Sequence, residues 1–206
     1  MWRKFLLVLT VLAGLPAASS AAELTAADKA DIARVEAYLN SITTVRARFL
    51  QQSSTGGSAT GSFYMQRPGR LRIDYRAPPP LQIYASAGWL IYVDTELQES
   101  SYVPLSATPA GLLVRENVKL SGDVAVTKLE RAAQAVRIEL MQTKEPDSGR
   151  VVLTFADGPL ELRQWTVLDS QGISTTVALL DAQFGVALDP KLFVFIDPEF
   201  GRPPER

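Results

Sequence analysis

The chain contains neither cysteine nor histidine. Without cysteine there is no disulfide and no thiol nucleophile, so the fold rests on its core alone. Without histidine, Ser-His-Asp triads and histidine-ligated metal sites are excluded. Acid–base chemistry would fall to Asp, Glu, Lys or Tyr. An excess of charge is also missing: 21 basic residues face 22 acidic ones, a net charge of −1. A nucleic-acid partner calls for a basic surface, which this balance does not supply. Long apolar runs are absent beyond the first two dozen residues, so nothing later in the chain reads as a bilayer-spanning helix.

What is present begins with a secretory pattern. Arg3 and Lys4 form a positive start, Phe5 to Leu15 an apolar stretch, and Ala17-Ala18-Ser19-Ser20-Ala21-Ala22 a small-residue run of A-x-A type. The apolar stretch is shorter than the roughly 20 residues that cross a bilayer. Residues 1–22 are therefore expected to be a cleaved signal peptide, with cleavage after Ala21 or Ala22. Residues 23–206 are expected to form one exported, soluble domain. With Arg3 and Lys4 removed, 19 basic residues face 22 acidic ones, a net charge of about −3. No cysteine follows the cleavage site, so no lipid anchor is expected there.

Hydrophobic period then assigns the elements. Thr25 and Asp28 have the spacing of a capping box. Ile32, Val35, Leu39 and Ile42 follow at helical spacing. From Val45 the period changes to two. Leu71, Ile73 and Tyr75 alternate with Arg70, Arg72, Asp74 and Arg76, the pattern of a half-buried strand. Turns are expected at Gly56-Gly57-Ser58 and Arg67-Pro68-Gly69, and a hairpin around Ala87-Gly88. Thr108-Pro109 has the N-cap-then-proline signature of a short helix carrying Leu112 and Leu113. Further strands are expected at 124–129, 136–141, 151–155, 162–168, 173–180 and 192–195. The fold class is mainly β with helices: a single curved antiparallel sheet of about eleven strands, with helices on its concave side.

Such a sheet presents large apolar residues inward. Alternation points to Phe49, Phe63, Leu71, Ile73, Tyr75, Ile83 and Ile91. Trp89, Tyr92 and Tyr102 fit either a cavity wall or the core, and core is the preferred reading. Pattern leaves two outcomes for the enclosed volume: a dry core, or a cavity for an apolar ligand.

Several segments also resemble a known family. The run Phe63-Tyr64-Met65-Gln66-Arg67-Pro68-Gly69-Arg70-Leu71-Arg72-Ile73-Asp74-Tyr75 is similar to a signature strand pair of the periplasmic outer-membrane lipoprotein carriers, the LolA family. Phe49-Leu50-Gln51-Gln52, the stretch from Gln82 to Tyr92, Thr108-Pro109 with Leu112-Leu113, and Asp189-Pro190-Lys191-Leu192-Phe193 follow in the family's order. The resemblance implies an unclosed β-barrel with a helical lid over an apolar cavity. It implies a non-enzymatic chaperone, working as a monomer without cofactor. Its cargo would be triacylated lipoproteins, received from an inner-membrane ABC transporter and passed to an outer-membrane acceptor. Arg67 would lock the lid, and Pro109, Leu112 and Leu113 would belong to the lid helix. At Leu71 and Ile73, where the family often carries aromatics, this chain is aliphatic. Gly111 would weaken the lid helix by roughly 1 kcal/mol relative to Ala, implying a looser lid or a later helix start.

Two other readings use the same residues. Asp94, Glu96 and Glu99 could pair for glycoside hydrolysis, but no motif surrounds them and hairpin carboxylates are ordinarily solvated. A carrier or sensor of another lipid, such as a glycolipid or polyisoprenoid, would present the same cavity.

Overall fold

The computed structural model describes residues 24–197 except Pro79. The expected signal peptide, 1–22, lies outside the described residues. The chain opens with helix α1 (Ala26–Ser41). Thr25 caps it: its Oγ1 accepts from the Asp28 amide at 3.1 Å, and Asp28 Oδ2 accepts from the Thr25 amide at 2.9 Å. Val35 and Leu39 are buried on one face, with Ile32, Tyr38 and Ile42 beside them.

Six strands follow as a meander: β1 (Thr44–Ser53), β2 (Ser58–Gln66), β3 (Arg70–Tyr75), β4 (Leu81–Ser86), β5 (Trp89–Asp94) and β6 (Glu99–Pro104). Residues 105–123 then carry a 3₁₀ turn (Leu105–Ala107) and the short helix α2 (Pro109–Leu113). A second meander completes the sheet: β7 (Val124–Ala132), β8 (Ala135–Gln142), β9 (Gly149–Asp157), β10 (Leu160–Asp169) and β11 (Ser174–Phe184). The order across the sheet is β6-β5-β4-β3-β2-β1-β11-β10-β9-β8-β7, antiparallel throughout. β11 returns beside β1, so β6 and β7 are the two edges and the sheet does not close.

Several expectations change. The segment 192–195 is not a strand. Asp189 Oδ1 accepts from the Lys191 amide at 2.9 Å and Pro190 opens a 3₁₀ turn (Pro190–Phe193), the cap-then-proline device also used at Thr108-Pro109. β6, which the periodicity missed, restores the strand count; its sequence Glu-Ser-Ser-Tyr-Val-Pro has no apolar alternation. The third correction is Ile91. Ala87 and Gly88, both at positive φ (49° and 85°), make a two-residue turn that pairs Ser86 with Trp89. Ile83 then stands opposite Tyr92, and Ile91 opposite Tyr84. Directly paired residues share a face, so Ile91 lies on the outer face with Tyr84, Val93 and Phe195. Trp89 and Tyr102, expected in the core, are 44% and 45% exposed.

The helix α2 starts on Pro109, with no delay and with its glycine explained. A Cβ on Gly111 would stand 2.1 Å from the Leu105 carbonyl oxygen. Glycine is what lets the 3₁₀ turn fold back against α2. Gly61 permits a similar approach, since its Cβ would meet the Phe49 ring at 2.6 Å.

Polar contacts fix α1 along its length. Arg131 pairs with Asp28 at 2.8 Å and Asp31 at 2.6 Å, and Arg34 with Asp157 at 2.5 Å. The Asn40 amide exchanges two hydrogen bonds with the Val118 backbone, at 3.0 and 2.7 Å. The Leu120 amide donates to Glu36 at 2.7 Å, and the Leu162 amide to the Tyr38 hydroxyl oxygen at 3.0 Å.

Gly111→Ala should cost about 1–3 kcal/mol through overpacking, read as a lower urea midpoint; an unchanged midpoint would contradict the Leu105 contact. A second expectation concerns α1. The Arg34 hydrogen bond holds Asp157 below the usual carboxylate range. A depressed folded value gives stability that is present above the unfolded pKa and is lost as pH falls through the folded one. Arg34→Gln should therefore lower the urea midpoint at neutral pH, with the difference from wild type shrinking as acid protonates Asp157. A difference that persists in acid would count against the ion pair as its cause.

Candidate functional site under the lid

The site is the concave face of the sheet and the segment that covers it. Val45, Ala47 and Phe49 on β1, Phe63 and Met65 on β2, and Leu71 on β3 point inward and are buried. Ile83 joins them on β4, and Ile73 and Tyr75 are partly buried against them. Tyr75 crosses Phe49 edge-on at 5.1 Å and donates its hydroxyl to Gln51 Oε1 at 2.7 Å. Burial pushes its pKa up to about 12.

The second meander supplies as much of the interior. Val136, Ile138 and Leu140 on β8, Leu153 and Phe155 on β9, and Leu162 and Trp165 on β10 are buried in the same cluster. Trp165 lies 5.6 Å from Phe63, and Phe155 meets Tyr38 of α1 at 6.0 Å. These residues were absent from the sequence-derived set, although period-two alternation at 136–140 and 153–155 marked them.

From above, the interior is closed by Leu105, Leu112, Leu113, Val114, Val118 and Leu120, all buried. No polar or charged residue is buried among the described residues. The face can hold apolar groups.

Arg67 sits at the seam. The β2–β3 turn, Arg67-Pro68-Gly69, reaches the ends of both helices. Its backbone donates from Arg67 N to Thr43 O and from Gly69 N to Val114 O, each at 2.8 Å. The guanidinium donates through Nε to Leu113 O at 2.6 Å and through Nη1 to Leu39 O. Leu113 ends α2, and Leu39 lies in the last turn of α1. Helix-terminal carbonyls carry partial negative charge and keep acceptor capacity for a cation, Leu39 O included although it also takes the Ile42 amide at 3.3 Å. Among the described residues no carboxylate pairs with Arg67. Burial lowers its pKa from the ordinary arginine value.

Beneath Arg67 little free space remains. Leu39, Ile42, Phe63, Leu113, Trp165 and Phe184 are among the residues around a void of about 10 Å³, the scale of a single water. Of the two outcomes left by the sequence, the packing around this void favours the filled core. A larger opening lies to the side. A cleft of about 330 Å³ separates α2 from the ends of β7–β10, with Pro109, Leu112, Leu140, Val151 and Val167 among its walls.

The outer face differs in character. Arg72 lies 5.2 Å over the Tyr84 ring, pairs with Asp74 at 2.9 Å and donates to Leu192 O at 3.2 Å. Phe195 packs on Tyr84 at 5.4 Å and Tyr102 at 6.4 Å. The end of the described chain is thereby fastened across β3–β6.

Comparison with known proteins agrees with this architecture. The chain is 30% identical over 174 residues to an outer-membrane lipoprotein carrier protein of Methylococcus capsulatus, covering 80% of this chain and 83% of that one. It is 28% identical over 181 residues to the protein of the same name from Pseudomonas aeruginosa, covering 83% and 86%. Among solved structures, an uncharacterized conserved protein of Thermus thermophilus shares the fold at a TM-score of 0.50 and 9% identity, over 82% of this chain and 94% of that one. Residues 40–196 match the family model described as outer membrane lipoprotein carrier protein LolA, and the chain belongs to that family.

Proposed function

We propose that this protein is a periplasmic chaperone that shields the acyl chains of triacylated lipoproteins on their way from the inner to the outer membrane. It would receive them from an inner-membrane ABC transporter and pass them to an outer-membrane acceptor. It would act as a diffusible monomer, without cofactor and without catalysis. The observation that carries this reading is a wholly apolar concave face under a cover pinned by one arginine. The export pattern in residues 1–22, with no cysteine to accept a lipid anchor, supports it.

The energetics explain why such a carrier is needed. Each methylene kept from water is worth about 0.8 kcal/mol, so a multiply acylated protein does not leave a membrane unaided at a useful rate. A carrier must still let go. The closed state buries its own apolar face under Leu112 and Leu113, and that self-burial competes with cargo. Cargo is held only by the difference between the two, which keeps affinity intermediate.

Arg67 sets the balance in this proposal. Hydrogen bonds from a charged donor contribute about 1.5–3 kcal/mol each. Dehydrating the guanidinium without a carboxylate partner offsets part of that gain. A net bias of about 1–2 kcal/mol towards the closed state corresponds to a population shift of roughly tenfold.

Arg67→Leu should therefore favour the open state and slow cargo transfer to an acceptor about tenfold. In a Trp89→Phe background, Trp165 emission should shift to the red as the interior wets. Wild-type transfer rates in a reconstituted assay would overturn the role given to Arg67. For the function itself, the protein can be purified gently from the periplasm and its bound molecules identified by mass spectrometry. Triacylated lipoproteins are expected. A glycolipid or polyisoprenoid would replace the proposed cargo class, and failure to bind any acylated molecule would overturn the carrier reading.

A further inference from the structure

The outer face of β3–β6 carries features that the concave site does not use. Six large apolar residues stand exposed among the described residues, and four of them gather here: Trp89, Tyr102, Val194 and Ile196. Trp89 shares the outward parity of Ile91, and Tyr102 stands opposite Ile91. Val194 and Ile196 belong to the end of the described chain. There Phe193 is buried and Phe195 packs on Tyr84, while Val194 and Ile196 are 58% and 78% exposed. Exposed apolar residues scattered singly are ordinary, whereas a group on one face marks a contact.

These side chains are joined. Trp89 meets Tyr102 edge-on at 6.3 Å, Tyr102 meets Phe195 at 6.4 Å, and Phe195 meets Tyr84 at 5.4 Å. Tyr84 in turn lies 5.2 Å beneath the Arg72 guanidinium, so an aromatic stripe crosses the face and ends in a cation. At its other end the Tyr102 hydroxyl donates to Asp197. More arginine continues the row past Arg72, which stands opposite Tyr64, itself opposite Arg46. Residues 44–76 hold six arginines and one carboxylate, Asp74, which Arg72 takes at 2.9 Å. Arg48 pairs with Asp181. Arg46 donates to the neutral Gln183 at 2.7 and 3.1 Å, and Arg70 to the neutral Gln66 at 3.5 Å. Among the described residues no carboxylate pairs with Arg46 or Arg70.

We propose that this face is a membrane-surface contact for a bilayer bearing anionic phospholipid headgroups. It lies across the sheet from the concave site, so it goes beyond the carrier reading and does not rest on it. Tryptophan and tyrosine combine an apolar body with a polar edge, which suits the boundary between headgroups and acyl chains. The arginine fork matches a phosphate in a bidentate pair. An acidic protein surface would answer the arginines and leave Val194 and Ile196 without an apolar partner. An apolar protein patch would bury Arg46 and Arg70 with no counter-charge. A bilayer surface supplies both chemistries side by side. Residues 23–206 are acidic overall, so these cations also set which side of the molecule approaches an anionic surface. Contact through a few shallow side chains is weaker than a lipid anchor, and therefore reversible.

The test sediments the secreted chain with vesicles of phosphatidylcholine and phosphatidylglycerol, and with vesicles of phosphatidylcholine alone. Binding is expected to the anionic vesicles, and it should weaken as salt screens the headgroups. Arg46→Gln combined with Arg70→Gln should weaken it about tenfold. Trp89→Ala combined with Ile196→Ser should also weaken it. All four positions are exposed, and circular dichroism checks that the variants fold. With bromine on the acyl chains, tryptophan emission should be quenched in wild type and unquenched in Trp89→Phe, because Trp165 is buried. Quenching that persists in Trp89→Phe would mean that a lipid has entered the interior, and would overturn the outer face as the contact. Equal binding to both vesicles, or binding indifferent to the two arginines, would overturn the charge match and with it the proposal. Binding to polyglutamate but to neither vesicle would make the face a protein contact and overturn the membrane. Each of these failures leaves the carrier reading intact.

Discussion

An eleven-stranded sheet that does not close cannot cover its own concave face, and the rest of the molecule follows from that constraint. Because β11 pairs with β1, the two meanders run outward to opposite edges. Residues 105–123 must then carry the chain from β6 to β7, from one edge to the other. That path crosses the open side of the sheet. The six buried side chains between Leu105 and Leu120 make the connection a cover. Helix α1 shares the task but is fixed. Ion pairs bind its first turns to β7 and the β9–β10 turn, and Asn40, Glu36 and Tyr38 bind its second half to 118–120 and β10. The cover thus has an anchored part and a part held chiefly at Arg67 and Gly69.

The chemistry of that hold matters more than its strength. A guanidinium bonded to carbonyls alone satisfies its donors but not its charge. In a paired ion bridge, opening exposes two ions and forfeits their attraction. Here opening returns a lone cation to water, which recovers hydration. A clamp of this kind costs less to release than a buried ion pair. A packed interior of Phe63, Trp165 and Leu179 would otherwise hold the cover shut too firmly for a carrier. The two edges of the open sheet are both blunted. β6 ends at Pro104, and β7 carries a bulge between Val126 and Lys128 followed by charged Lys128, Glu130 and Arg131. Both features discourage edge-to-edge pairing.

Legibility in the sequence followed the physics of each segment. The capping box at Thr25, the alternation in β3 and the Thr108-Pro109 start of α2 are local signals, and the structure realises each one. Tertiary register was less accessible. Alternation within β5 leaves open which of Ile91 and Tyr92 faces inward, and the Ala87-Gly88 turn settles it by pairing Tyr92 with Ile83. A one-residue change in pairing exchanges the faces of a strand. Trp89 has the same parity as Ile91, which puts it outside as well. β6 carried no period because an edge strand with a partly exposed face has little apolar burial to encode. The interior of the second meander is written in the alternation at 136–140 and 153–155, the same signal that marks Phe49, Phe63 and Leu71 in the first.

Gly111 shows how a local rule can mislead when the constraint is a contact. Taken as a residue in a helix, it weakens the lid. In place, it is what allows the 3₁₀ turn and α2 to meet at 2.1 Å from where a Cβ would stand. The turn begins where the Leu105 amide donates to Gly88 O at 2.9 Å. α2 ends where Arg67 and Gly69 donate to the Leu113 and Val114 carbonyls. Between those two attachments the cover is a compact unit joined by the Leu105–Gly111 contact. A segment so joined moves as one piece, and its fastening at Arg67 lies at the far end from Gly88. Release at Arg67 would then swing α2 about the Gly88 end. That motion would lift Leu113 off the void and widen the side cleft that Leu112 already borders.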